Sequence, residues 1–94
     1  MTLDKMHYRI GEVAEMLGVS ASTLRWWEEQ FKPLVRPVRG LVGGKYSNAR
    51  QRLYSRADVV TIETIRRLLH VEGYTTKGAL AQLRRVRAER AAGA

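Results

Sequence analysis

Cysteine is absent from this chain. Its absence excludes disulfides, thiolate metal sites and a thiol redox sensor, so packing alone must hold the fold. Long apolar runs are missing too: none approaches the ~20 residues that a bilayer span needs. The opening MTLDKMHYRI carries an acid and no apolar stretch, so it does not read as a secretory signal. Acidic residues are scarce, nine against 17 lysines and arginines, which leaves a net charge of +8. That balance favours a polyanionic partner (DNA, RNA or an acidic membrane surface) over the plainer reading of a solvated basic exterior. Catalytic constellations are lacking as well. His7 and His70 stand apart, with no Cys, Asp or His at ligand spacing, so no metal or other cofactor is expected. Glu28 and Glu29 are neighbours on a helix and diverge, unlike a catalytic pair. No glycine loop followed by Lys-Ser/Thr is present to cradle a phosphate. The chain is not expected to be an enzyme.

What is present is concentrated. Residues 25–56 hold eight basic side chains (Arg25, Lys32, Arg36, Arg39, Lys45, Arg50, Arg52, Arg56) against Glu28 and Glu29. The 94 residues make a single domain with a small core. No internal repeat or low-complexity linker divides it.

Ile10, Val13, Ala14 and Leu17 fall at helical spacing, with Glu12 and Glu15 on other sides. Acids early in that helix suit its positive N-terminal end. Gly18 is a natural C-terminal stop and Ser20 a natural N-cap for a second helix. Leu24, Trp27 and Phe31 form the inner face of that second helix, and Pro33 ends it. Two short helices joined by Gly-Val-Ser have the shape of a helix-turn-helix. Strand-like runs at Leu34–Val38 and Arg50–Tyr54 flank GLVGGKYSN, whose glycines and asparagine suit a hairpin tip. The stretch 34–54 therefore reads as a long β-hairpin, or wing. Ser55-Arg-Ala-Asp58 is a capping box for a third helix with Val59, Ile62, Ile65, Leu68 and Leu69 on its apolar stripe. Gly73 closes it. Thr75 or Thr76 caps a fourth, about Lys77 to Arg90, with Leu80, Leu83 and Val86 inward and the last four residues frayed. The fold class is mainly α: a winged helix-turn-helix of about four helices with its wing between helices 2 and 3.

On the second helix Ser22, Arg25, Trp26 and Glu29 share one outward face, with Thr23 beside it. The N-terminal part of such a helix enters the major groove of DNA. Small hydroxyls at Ser20, Ser22 and Thr23 allow close approach, although capping alone would also account for them. Arg25 can fork onto guanine or clamp a phosphate; the alternative is a solvated arginine. Trp26 and Trp27 lie about 100° apart, so both cannot enter the core. Trp27 is assigned inward. Trp26 either faces DNA, where its indole N–H could reach a phosphate, or packs at the core edge against the wing. Arg36, Arg39, Lys45, Arg50 and Arg52 give the wing a surface suited to backbone phosphates or a minor groove. Arg84, Arg85, Arg87 and Arg90 read as a solvated face.

The order of these pieces resembles the DNA-binding domain of MerR-family transcriptional regulators. The resemblance rests on YRIGEVAEMLGVSASTLRWWEEQF (8–31), KP (32–33), RLYSRADV (52–59) and IRRLLHVEGYTTKGALAQL (65–83). It implies a helix-turn-helix over 8–31, a wing over 34–54 and two further helices over 55–90. It also implies double-stranded DNA as the partner, bound at a pseudo-palindromic site by a homodimer. Ser22, Thr23, Arg25 and Trp26 would then belong to the recognition helix, and Arg36, Arg39, Arg50 and Arg52 to the wing. Tyr54 would anchor the wing or touch a phosphate. The place of action would be the bacterial cytoplasm, at the nucleoid, with no membrane partner. GGKYSNARQ makes the wing longer than the family's short one. Members usually continue into a dimerising coil and an effector domain; little follows Arg90, so neither is expected within this chain, and no small-molecule effector is implied. Two other roles fit the same fold: a phage excisionase-like or nucleoid architectural DNA binder, and a protein-interaction module with an acidic partner.

Overall fold

The structure is a computed structural model describing residues 2–41 and 50–93, with backbone only at 39–41, 50 and 51. The elements follow in the order β1 (His7–Arg9), α1 (Ile10–Leu17), α2 (Ala21–Gln30), β2 (Val38–Leu41), β3 (Arg50–Ser55), α3 (Arg56–Arg66) and α4 (Thr76–Gly93). A π-helical segment, Arg67–Val71, prolongs α3. Two bodies share the chain, residues Met1–Glu63 and residues Thr64–Ala94.

Local chemistry sets most helix ends. Gly18 takes φ +67°, a conformation that L side chains rarely adopt, and its N–H returns to the Ala14 carbonyl to close α1. Ser20 caps α2: its Oγ accepts from the Thr23 N–H at 3.1 Å. The α2 helix ends at Gln30, before the cis Lys32–Pro33 bond. Ser55 and Asp58 form the reciprocal box at the start of α3, with Asp58 N donating to Ser55 Oγ at 3.1 Å and Ser55 N to Asp58 Oδ2 at 3.2 Å. Thr75, rather than Thr76, caps α4 by accepting from the Gly78 N–H at 3.0 Å.

In the first body the antiparallel sheet has strand order β1-β3-β2, with β3 in the middle. Tyr8 lies opposite Tyr54 across β1 and β3, and both are buried. The core around them contains Val13, Leu24, Trp27, Phe31, Leu34, Val35, Val59 and Ile62. The expected inner face of α2 is therefore the observed one, and the winged helix-turn-helix is present. In the second body Ile65, Leu68 and Ala79 are buried.

Three expectations need correction. The wing's first strand does not run over Leu34–Val38; it begins at Val38. Leu34 and Val35 are both buried, whereas consecutive strand residues point to opposite faces. Their N–H groups instead return to the Phe31 carbonyl, and Pro37 has no N–H to offer a ladder. The end of the fourth helix does not fray at Arg90, because α4 runs on to Gly93; alanine is the best helix former. On that helix Ala79 is buried, while Leu80, Leu83 and Val86 are only half-buried. The strand β1 had no counterpart in the sequence reading.

Candidate nucleic-acid interface

Because α2 buries Leu24 and Trp27, its opposite side is left outward. Ser22, Arg25, Trp26 and Glu29 are all exposed, and Trp26 shows 57% of its surface. That exposure leaves most of the indole outside the core. Arg25 makes no hydrogen bond or ion pair with another described residue, so its guanidinium keeps its donors. Glu29 pairs with Lys32 at 3.0 Å on the surface. At the start of the helix Ser20 Oγ and Thr23 Oγ1 lie 2.9 Å apart, sharing a hydrogen bond beside the cap. Ser20 is exposed and Thr23 half-buried, so the cap occupies hydroxyls that also lie on this side.

A carboxylate of α2 meets the described part of the basic hairpin. Glu28 Oε2 accepts from Arg52 Nε at 2.8 Å and from the Tyr54 hydroxyl at 3.2 Å. Arg52 and Glu28 are both mostly covered, with side-chain exposures of 22% and 16%. Tyr54 has no exposed surface, and its phenol is spent on Glu28. This places Tyr54 as an anchor of β3 and leaves it no surface for a phosphate. Burial first, then the Glu28 charge and hydrogen bond, push the Tyr54 hydroxyl well above its ordinary pKa. The positive charges of Arg52 and Arg25 offset part of that rise.

The other expected wing residues fall in different places. Arg36 is exposed, and its backbone N–H donates to Asp58 Oδ1 at 3.1 Å. Asp58 thereby ties the strap after α2 to the start of α3. Arg39 stands opposite Arg52 in the β2–β3 register, and Arg50 opposite Leu41. Lys45 lies outside the described residues.

Sequence reasoning set Glu28 aside, yet a signal was available. Positions 24, 27, 28 and 31 are spaced i, i+3, i+4, i+7, so Glu28 sits at the edge of the inward stripe and needs a partner there. Among the described residues no group of three His, Cys, Asp or Glu could hold a metal ion, and no helix is long and apolar enough to cross a membrane.

A family model described as "MerR HTH family regulatory protein" matches residues 8–86. The chain belongs to the MerR family of helix-turn-helix regulators. It is also similar to the HTH-type transcriptional repressor CarA of Myxococcus xanthus, at 35% identity over 79 residues. That match covers 84% of this MerR-family chain and 25% of the repressor, so the chain spans about a quarter of its relative's length.

Proposed function

We propose that this MerR-family chain reads duplex DNA by placing the N-terminal half of α2 in the major groove, while the basic hairpin lies on the flanking backbone or minor groove. The observation that carries the reading is the outward face of α2: Ser22, Arg25 and Trp26 are exposed together, and Arg25 has no partner among the described residues. A helix with its side chains is about 10–12 Å across, close to the roughly 12 Å width of the major groove. Arg25 is the base-reading or phosphate-clamping group, and Trp26 the flanking contact. Arg36, Arg39, Lys45 and Arg50 supply sequence-independent charge from the wing and its approach. Ser20 and Thr23 cap the helix at the groove, where their small side chains let the DNA backbone approach closely. Two copies on a two-fold site follow the family's habit. Repression, the role in the relative's name, is the first sign of regulation to test.

Titration of duplex DNA at rising salt tests the reading. Neutralising five or more phosphates makes log affinity fall steeply with log salt, at roughly 0.9 per phosphate. Binding that ignores salt, or no duplex binding at all, rejects it. Arg25→Ala is expected to weaken specific binding by about 1–3 kcal/mol when Arg25 forks onto a base. Equal weakening across unrelated sequences assigns Arg25 to phosphate instead.

A further inference from the structure

Glu28 has no place in the outward face of α2, yet it joins that helix to the hairpin. Its Oε2 takes two donors from β3: Arg52 Nε at 2.8 Å and the Tyr54 hydroxyl at 3.2 Å. Arg52 and Tyr54 are two apart, so they leave the strand on the same face. Glu28 lies three residues from Arg25 and two from Trp26 on α2. The separation in sequence is large, 24 residues to Arg52 and 26 to Tyr54, so nothing local imposes the arrangement. We propose that Glu28 is a positioning residue that locks the wing to the recognition helix, so that both meet the duplex as one surface of fixed spacing. The proposal rests on the DNA-binding reading above.

The physical case is one of competition. Arg52 belongs to the basic wing, and a phosphate would attract its guanidinium as a carboxylate does. While Glu28 holds Nε, Arg52 is kept as a structural cation and the hairpin keeps its angle to α2. Without the Glu28 charge, Arg52 becomes one more mobile phosphate ligand. Loss of Glu28 therefore trades sequence discrimination for non-specific attraction. A merely stabilising residue would instead lower specific and non-specific binding together.

The isosteric Glu28→Gln variant tests this, with Arg52→Lys as its counterpart that keeps the cation and loses the planar fork. The specific-to-non-specific affinity ratio is expected to fall on the order of tenfold in each, the scale of one charge-assisted hydrogen bond. The double variant should fall no further, since the two share one interaction. In Glu28→Gln the salt dependence should steepen by up to about 0.9, one phosphate's worth, as Arg52 is released. A second readout needs no DNA. The chain has no cysteine, so spin labels at Glu29→Cys on α2 and Val38→Cys on β2, both exposed positions, report the helix-to-wing distance. That distance distribution should be narrow in the parent chain and broad in the Glu28→Gln variant. An unchanged distribution, or parallel loss of both affinities at an unchanged salt slope, overturns the proposal. Should the parent chain bind no duplex, the DNA reading fails, and the label distances still decide the coupling.

Discussion

Asp58 and Glu28 each tie distant segments of the first body together, and they do so by opposite means. Asp58 accepts from backbone: the N–H of Ser55, three residues back, and that of Arg36, 22 residues back. Glu28 accepts only from side chains among the bonds described, Arg52 and Tyr54, both more than 20 residues ahead. Half of Asp58's task is thus a local capping motif. All of Glu28's task depends on where the sheet lands. The difference teaches that a carboxylate's structural role is legible when its donors are close in sequence and fixed in position, as backbone amides are.

The largest expected effect comes from breaking the backbone side of this comparison. Asp58→Ala leaves the Ser55 cap in place but removes the carboxylate half of the box and strands two partly buried N–H groups, at a cost of about 3 kcal/mol. Urea unfolding monitored by circular dichroism measures it. A midpoint that hardly moves would show that water replaces the carboxylate at both amides.

A smaller effect separates the two donors of Glu28. Tyr54→Phe removes the phenol and leaves the Arg52 pair, with an expected loss of about 1 kcal/mol near neutral pH. The sign with pH follows from the raised pKa of Tyr54. The folded protein favours the neutral phenol, so its contribution is fully present below the unfolded tyrosine value of about 10 and is lost as pH rises above it. Unfolding between neutral pH and about pH 11 should therefore show an alkaline loss of stability that Tyr54→Phe reduces. Identical alkaline slopes in the two proteins would mean that Tyr54 is not the group responsible.

The smallest effect supplies a baseline for both. Glu12 pairs with Lys5 and accepts from the Arg9 N–H at 3.1 Å, at an exposed site. The Lys5 contact first, then the Arg9 amide, hold its pKa below the ordinary value. Its contribution is present above the unfolded carboxylate pKa and is lost as pH falls through the lowered one. Solvent screening limits it, so Glu12→Gln should cost no more than about 0.5 kcal/mol and less at high salt. A loss as large as that of Asp58→Ala would remove the distinction between covered and exposed carboxylates.

Much of the fold was legible for the same reason that Asp58 was. Gly18, Ser20, the Ser55–Asp58 box and Gly73 act within a few residues of themselves and were each read at their place, and the cap of α4 was read to within one residue, Thr75 or Thr76. The inner stripe of α2 and the exposed face carrying Ser22 and Arg25 follow from helical periodicity alone, which left Trp26 open. The strand β1 was not legible, because three residues show no period and exist as a strand only by pairing with β3. The false strand over Leu34–Val38 came from apolar, β-branched residues that the core used as a plug. Glu28 was read only as diverging from Glu29, although its position on the helix argued for a covered acid with a partner.

The sequence by itself determined most helix boundaries, the inward and outward faces of α2 and the concentration of charge between residues 25 and 56, because these depend on spacing, caps and composition. Only the tertiary structure decided that Tyr8 faces Tyr54, that Arg36 is tethered to Asp58, and that Arg52 and Tyr54 are held by Glu28. Those partners are brought together by sheet register and core packing. Both are collective results of burying apolar surface, and no single segment encodes them.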